Sequence, residues 1–263
     1  MMMTFATKVR TALAEKVILV VGAGAGVGVS VARRFAKEGY YACLCRRSDD
    51  RGLDASIQSI RKSGGAASGF LINATEPDAI ENMINEIEQN IGPIHVCVYN
   101  LGAQIGNRDL ERTSYKQFEL GWRLGTFGLF RVSKSLLPIM ATRGTGNLLV
   151  TNATSAARGD KGQHSHAAAM GGRRLLCQTL NAEYASKGIH VCNILLDGAV
   201  NSPTLGKMIG FENLQKMCDR GVLIDPKAIA ETYWHIAHQP SSTWTFELDL
   251  RNHTDAAWWN SRM

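Results

Sequence analysis

No run in the 263-residue sequence approaches the ~18 consecutive apolar residues that a membrane-spanning helix needs, which excludes a span. No Lys/Arg run is long enough to read as a nucleic-acid arm. The net charge of +6 nevertheless favours acidic partners: nucleotides, RNA, anionic lipid or an acidic protein. No internal repeat, low-complexity tract or linker interrupts the chain. A composition of 45% hydrophobic and 20% charged residues at this length suits one large α/β domain better than two small ones. None of the six cysteines has the CxxC spacing of a zinc turn, and no metal site is expected. Most of them lie in apolar, strand-like text ("YYACLC", "HVCVYN", "HVCNIL") and read as buried reduced thiols in a reducing compartment. Cys43 and Cys45 stand two apart on a strand and so share a face. The first 15 residues carry no acid before Glu15 and lack the apolar core of a secretory signal. They read as a basic extension: either a mitochondrial targeting helix, or a short surface extension on a cytoplasmic protein.

What the chain does have is alternation. Strand-like runs at 16–21, 40–45, 67–72, 94–100, 146–151, 188–196 and 243–248 are separated by helix-like stretches. The order strand, helix, strand repeated throughout predicts a parallel sheet with right-handed crossovers. Runs such as "VILVV" are apolar without alternation, as strands covered on both faces should be. The expected architecture is one Rossmann-like, doubly wound α/β domain over residues 16–250, with about seven parallel strands. A tail at 251–263 follows, carrying two exposed tryptophans, Trp258 and Trp259. Residues 203–225 mix Leu, Met, Phe and charge and read as a mobile lid.

The first strand runs into "VVGAGAGVGVSVARRF", with Gly22, Gly24, Gly26 and Gly28 opening a helix at Val27. Glycine allows the positive φ of a tight turn and lets backbone approach a pyrophosphate that a Cβ would block. The helix N-terminus then offers unpaired N–H groups to the anion. At the end of the second strand, where an acid would bond a ribose 2′-hydroxyl, the sequence reads Arg46 and Arg47. Guanidinium groups there favour a 2′-phosphate, and NADP(H) over NAD(H).

These residues carry a resemblance. Gly22-x-x-x-Gly26-x-Gly28 is similar to the TGxxxGxG turn of the short-chain dehydrogenase/reductase family. "YNLG" (99–102) resembles its NNAG, with Asn100 and Gly102 kept, and "DGAVNSP" (197–203) stands at its PGxxxT. The helix text "AETYW" and the strand text "WTFELDLR" resemble an atypical subgroup. The resemblance covers about residues 16 to 250. It implies dinucleotide contacts from Gly22, Gly24, Gly26, Val27, Gly28, Arg46, Arg47, Asn100, Gly102, Gly198, Val200 and Ser202. It adds Asn73, where the family's adenine-contacting Asp stands, and Ala74 beside it.

The catalytic set carries over differently. Registering "GIHV" (188–191) on the family's GIRV places His166 at the Tyr position and Met170 at the Lys position, and Gly125 falls at the helix-four Asn. The Ser hydroxyl would come from Thr154 or Ser155. The family's Lys cation favours the phenolate and holds the nicotinamide ribose; Met170 offers neither, and Gly125 has no side chain. His166 is a competent acid–base group on a shorter ring. In "GGRR" (171–174) the small residues suggest close approach to a partner, with Arg173 and Arg174 facing that partner or solvent. The first reading is a catalytically impaired, NADP(H)-binding member of this family serving as a structural or assembly subunit with protein partners. The alternative is an active NADP(H)-dependent oxidoreductase using Thr154 or Ser155 with His166. The third is a basic scaffold in an RNA–protein particle, whose binding would weaken steeply with salt.

Overall fold

The computed structural model describes residues 13–102 and 109–260. The basic extension expected at 1–15 falls largely outside them. Seven strands form a single sheet: β1 (Val17–Val21), β2 (Tyr41–Arg46), β3 (Ala66–Leu71), β4 (Ile94–Tyr99), β5 (Gly146–Ala153), β6 (Ile189–Asp197) and β7 (Glu247–Arg251). Their order is β3-β2-β1-β4-β5-β6-β7, and every neighbouring pair is parallel. This is the doubly wound Rossmann-like arrangement that the alternation predicts. All five residues of β1 are buried, as an unbroken apolar run in a central strand requires.

The helices are α1 (Val27–Lys37), α2 (Asp50–Lys62), α3 (Ala79–Asn90), α4 (Tyr115–Trp122), α5 (Gly128–Arg143), α6 (His164–Tyr184), α7 (Pro203–Ile209), α8 (Phe211–Asp219) and α9 (Pro226–Ala237). The apolar stripes of α1, α2 and α9 form the core on one face of the sheet, and those of α3, α5 and α6 form the core on the other. Cys43 and Cys45 both point into the second core, beside Cys97 and Cys177. Burial pushes the Cys43 and Cys45 thiols up to about 12, so both stay protonated. Within the lid expected at 203–225, Pro203–Ile209 and Phe211–Asp219 form α7 and α8. Ser202 starts α7 by accepting from the Leu205 N–H, and Pro203 sits in its first turn.

Two features of the fold depart from the sequence pattern. The long helical stretch ending at Met140 is not uniform: residues Arg123–Phe127, between α4 and α5, form a π turn. Such a turn frees backbone carbonyls from the regular ladder, and those of Leu124 and Gly125 accept from side chains outside the helix. The last strand begins at Glu247 rather than at Thr243. The aromatic text before it is held by side chains. Trp244 stacks on the His190 ring with centroids 4.9 Å apart, and its indole N–H donates to the Gln239 carbonyl. The Gln239 side chain brackets Thr245 from both sides.

The tail also folds back. The Trp258 N–H donates to Asp197 at 3.0 Å and its indole to Asp249 at 3.2 Å, so Trp258 is half-buried rather than exposed. Trp259, 53% exposed, lies under the Arg251 guanidinium.

Below the ends of β5 and β6 lies a buried polar chain. Asn152 Nδ2 donates to Asn193 Oδ1 (2.9 Å), Asn193 Nδ2 donates to Glu247 Oε2 (2.8 Å), and the Arg174 fork bonds both Glu247 oxygens. Arg174 thus pairs with the protein's own edge strand and stays partly exposed. Its hydrogen bond holds the Glu247 carboxyl below the ordinary value of 4.5. A depressed folded pKa adds stability that is present above the unfolded value and lost as pH falls through the folded one. Glu247→Gln should therefore lower Tm by a few degrees at pH 7. The gap from the parent should close as thermal scans move below about pH 4.5.

Candidate dinucleotide site

The chain leaves β1 at Gly22, whose φ is +96°. A Cβ there would also stand 2.7 Å from the Asn100 carbonyl oxygen, so both conformation and space demand glycine. The approach is used. The Asn100 N–H donates to the Val21 carbonyl and its side-chain amide to the Gly22 carbonyl, both at 2.8 Å. The N–H groups of Gly22 and Ala23 donate to the Cys45 carbonyl. The carboxyl ends of β1, β2 and β4 are thereby tied together where the winding of the sheet reverses, between β1 and β4. Helix α1 starts next, with Gly26 as its N-cap. No side chain caps it and no acid stands in its first turn, so its leading N–H groups face outward for an anion.

A cavity of about 500 Å³ opens at this point. Gly22, Gly24, Gly26, Val27, Asn100, Gly102, Val200 and Ser202 line it, with Arg46 and Arg47 at one end. Ala25, Ser48, Asp49, Leu101 and Thr204, which the sequence did not single out, complete the wall. Asp49 has a detectable signal: it is an N-cap residue type directly before a helical pattern. It sits in the left-handed region at φ 69°, accepts from the Gly52 N–H, and pairs through its other oxygen with Arg46 at 3.1 Å. This holds the Arg46 guanidinium at the cavity rim. Asn73, Ala74 and Gly198 are not among the residues lining this cavity. Asn73 turns inward on its own loop, accepting from Thr75 and donating to Glu76, and the Ala74 carbonyl accepts from Arg131. Gly198 follows β6 with φ 147°, against Asp255. An uncapped helix start at the centre and two arginines at one end suit a pyrophosphate and a further phosphate.

The residues expected to carry chemistry lie deeper. Met170 is 2% exposed and packs with Ala169, Ala153 and Ala156. Gly125 is buried in the π turn. His166 is half-buried on the first turn of α6, Thr154 is half-buried, and Ser155 is 6% exposed on the short turn after β5. None of Thr154, Ser155 and His166 is among the residues lining the cavity.

The least expected residue is Arg173. It is 2% exposed, not facing a partner or solvent. Its Nε donates to the Gly125 carbonyl (2.8 Å), Nη1 to that of Thr151 (2.6 Å) and Nη2 to that of Leu101 (2.8 Å). The Tyr99 ring lies 5.1 Å from the guanidinium carbon. Burial pulls its pKa down from the ordinary arginine value, opposed by the neighbouring Tyr99, but an arginine stays charged in folded protein. Of the two glycines before it, Gly172 serves this chain's own packing, since a Cβ there would meet Thr126 at 2.9 Å, and the Thr126 hydroxyl donates to the Ala169 carbonyl; a Cβ on Gly171 would meet open space. The signal was helical spacing. Met170, Arg173, Cys177 and Leu180 form one stripe, and all four are buried. Arg173→Met keeps the volume but takes the donor from two buried carbonyls, Gly125 and Thr151, and from the half-buried Leu101. It should lower the unfolding free energy by roughly 3 kcal/mol or more, read by urea denaturation.

With this geometry in view, comparison with known proteins is direct. The family model for short chain dehydrogenase matches residues 16–210. An uncharacterized oxidoreductase of Bacillus subtilis (strain 168) is 26% identical over 246 residues, covering 89% of each chain. The 3-oxoacyl-(acyl-carrier-protein) reductase of Thermotoga maritima is 26% identical over 88% of this chain and 93% of its own. A short-chain dehydrogenase structure from Rhodopseudomonas palustris superposes with a TM-score of 0.77 at 26% identity, over 90% of this chain and 99% of that one. The actinorhodin polyketide ketoreductase with NADPH shares the fold at a TM-score of 0.80 and 24% identity, over 90% and 96%. Matched over most of its length by one family model, and built on the same sheet, the chain belongs to the short chain dehydrogenase family.

Proposed function

We propose that this chain binds NADP(H) in the cavity at the ends of β1 and β4 and is catalytically impaired relative to its family. One contrast carries the reading. The nucleotide end is open and built for anions, whereas the position registered on the family's Lys is a methionine sealed among alanines. In the family that Lys charges the neighbouring phenol and holds the nicotinamide ribose. Met170 does neither, and Gly125 offers no side chain to a proton relay. Bound dinucleotide would supply a hydride donor or acceptor. What this chain's residues do is orient it: the first turn of α1 takes the pyrophosphate, and Arg46, braced by Asp49, takes a 2′-phosphate. A held dinucleotide then serves as a ligand of a structural or assembly subunit. Such a role fits the exposed aromatic row Trp122, Phe127 and Phe130, whose rings stack along α4, the π turn and α5.

One observation favours a second reading. The Bacillus subtilis and Thermotoga maritima relatives are named as an oxidoreductase and a reductase. On that reading His166 is the acid–base group, with a hydroxyl from Thr154 or Ser155.

Calorimetric titration with NADPH, followed by turnover assays on carbonyl substrates, separates the two. We expect saturable binding that Gly26→Asp abolishes, because it puts a carboxylate at the helix start. We expect no turnover above the background of His166→Ala. Turnover at ordinary enzyme rates that is lost in His166→Ala would establish the second reading instead.

A further inference from the structure

We propose that the buried charge of Arg173 makes the cavity select the reduced form of the dinucleotide over the oxidised form. The inference rests on the nucleotide reading above and goes beyond it by naming the redox state held. The polarity of the cavity follows from its ends. Arg46 and Arg47 mark the phosphate-bearing ribose, and the first turn of α1 marks the pyrophosphate. The remaining half of the molecule, which ends in the nicotinamide ring, is then assigned to the side of Leu101 and Gly102, away from the arginines. Arg173 sits directly behind that wall, with Nη2 bonded at 2.8 Å to the carbonyl of Leu101, itself a lining residue.

Its charge is unbalanced. All three of its hydrogen-bond acceptors are neutral main-chain carbonyls, and the adjacent Arg174 has taken the nearby carboxylate, Glu247. Among the described lining residues the one carboxylate, Asp49, stands at the opposite end and is paired with Arg46. The guanidinium is 2% exposed, so water screens it poorly. The oxidised nicotinamide ring carries a positive charge and the reduced ring carries none. Like charges separated by on the order of 10 Å at an effective dielectric constant of about 20 cost roughly tenfold in affinity. The adenine, ribose and phosphate groups are common to both forms and cancel in the comparison.

The test is calorimetry on the full chain with three ligands: NADPH, NADP⁺ and 2′-phospho-ADP-ribose, which lacks the ring. NADPH should bind about tenfold or more tighter than NADP⁺. NADP⁺ should bind no tighter than the ringless fragment. In Arg173→Lys the charge remains, so the ratio should persist even if all three affinities fall. In Arg173→Gln the ratio should fall toward one. Equal affinity for NADPH and NADP⁺, or a ratio unchanged in a folded Arg173→Gln, would overturn the inference while leaving the nucleotide reading standing. Failure of all three ligands to bind would overturn the nucleotide reading itself. If Arg173→Gln does not fold, the parent and Arg173→Lys carry the test together: a ratio near one in the parent, or a ratio lost in a folded Arg173→Lys that keeps the charge, would overturn the inference.

Discussion

The architecture around the cleft hangs on one buried cation. The Arg173 guanidinium collects carbonyls from the loop after β4, the end of β5 and the π turn. Those of Gly125 and Thr151 would otherwise be unsatisfied acceptors in the interior, and each of the three belongs to a different segment. The three-way donor geometry of arginine is what lets a single side chain serve all of them; the compact ammonium of a lysine would not span the same fork. With that link in place, α6 sits close enough to the π turn for the Thr126 hydroxyl to reach the Ala169 carbonyl. The Ser165 hydroxyl likewise turns to the carbonyls of Gln117 and Phe118 on α4. At Gly172 of α6 and Gly121 of α4 this closeness leaves no room for a Cβ, against Thr126 and Ser165.

The opposite half of the cleft is organised by backbone. Asn100 bridges β1 and β4 with its main chain and its side chain together, and the Cys45 carbonyl draws the glycine turn onto β2. This leaves the start of α1 uncapped, a cost that an anionic ligand is suited to relieve. Asp49, in a backbone conformation unusual for a residue with a side chain, contributes the complementary bracing at the arginine end.

Much of this was readable from the chain. The strands were, because a sheet covered on both faces needs unbroken apolar runs and the chain supplies them with glycine punctuation. The glycine turn after β1 was, because Gly22 and Gly28 answer local demands of conformation and space. Other features were not, and for a common reason. The acceptors of Arg173 lie 48, 22 and 72 residues away, so nothing local in "GGRR" announces a buried charge. The start of β7 was misplaced because "TWTF" has strand-forming side chains, yet contacts with His190 and Gln239 settle their backbone. Asn73 and Ala74 were assigned from the resemblance; the Asn73 side chain bonds Glu76 and Thr75, and the Ala74 carbonyl accepts from Arg131. The stripe through Met170 and Arg173 was visible in principle, but an arginine on an apolar face reads as an error until its partners are known.

The position of Arg173 also bears on what its neighbour can be. Residues 170 and 173 are one helical turn apart on the same buried face. A lysine at 170 would set two cations side by side where, among the described residues, no carboxylate pairs with the first, and the fold would be penalised for it. Removing Arg173 at the same time would not restore the balance, since the carbonyls it gathers from three segments would lose their donor. The uncharged side chain at 170 and the charged one at 173 are therefore two halves of one electrostatic arrangement, and a change at either position is felt at the other.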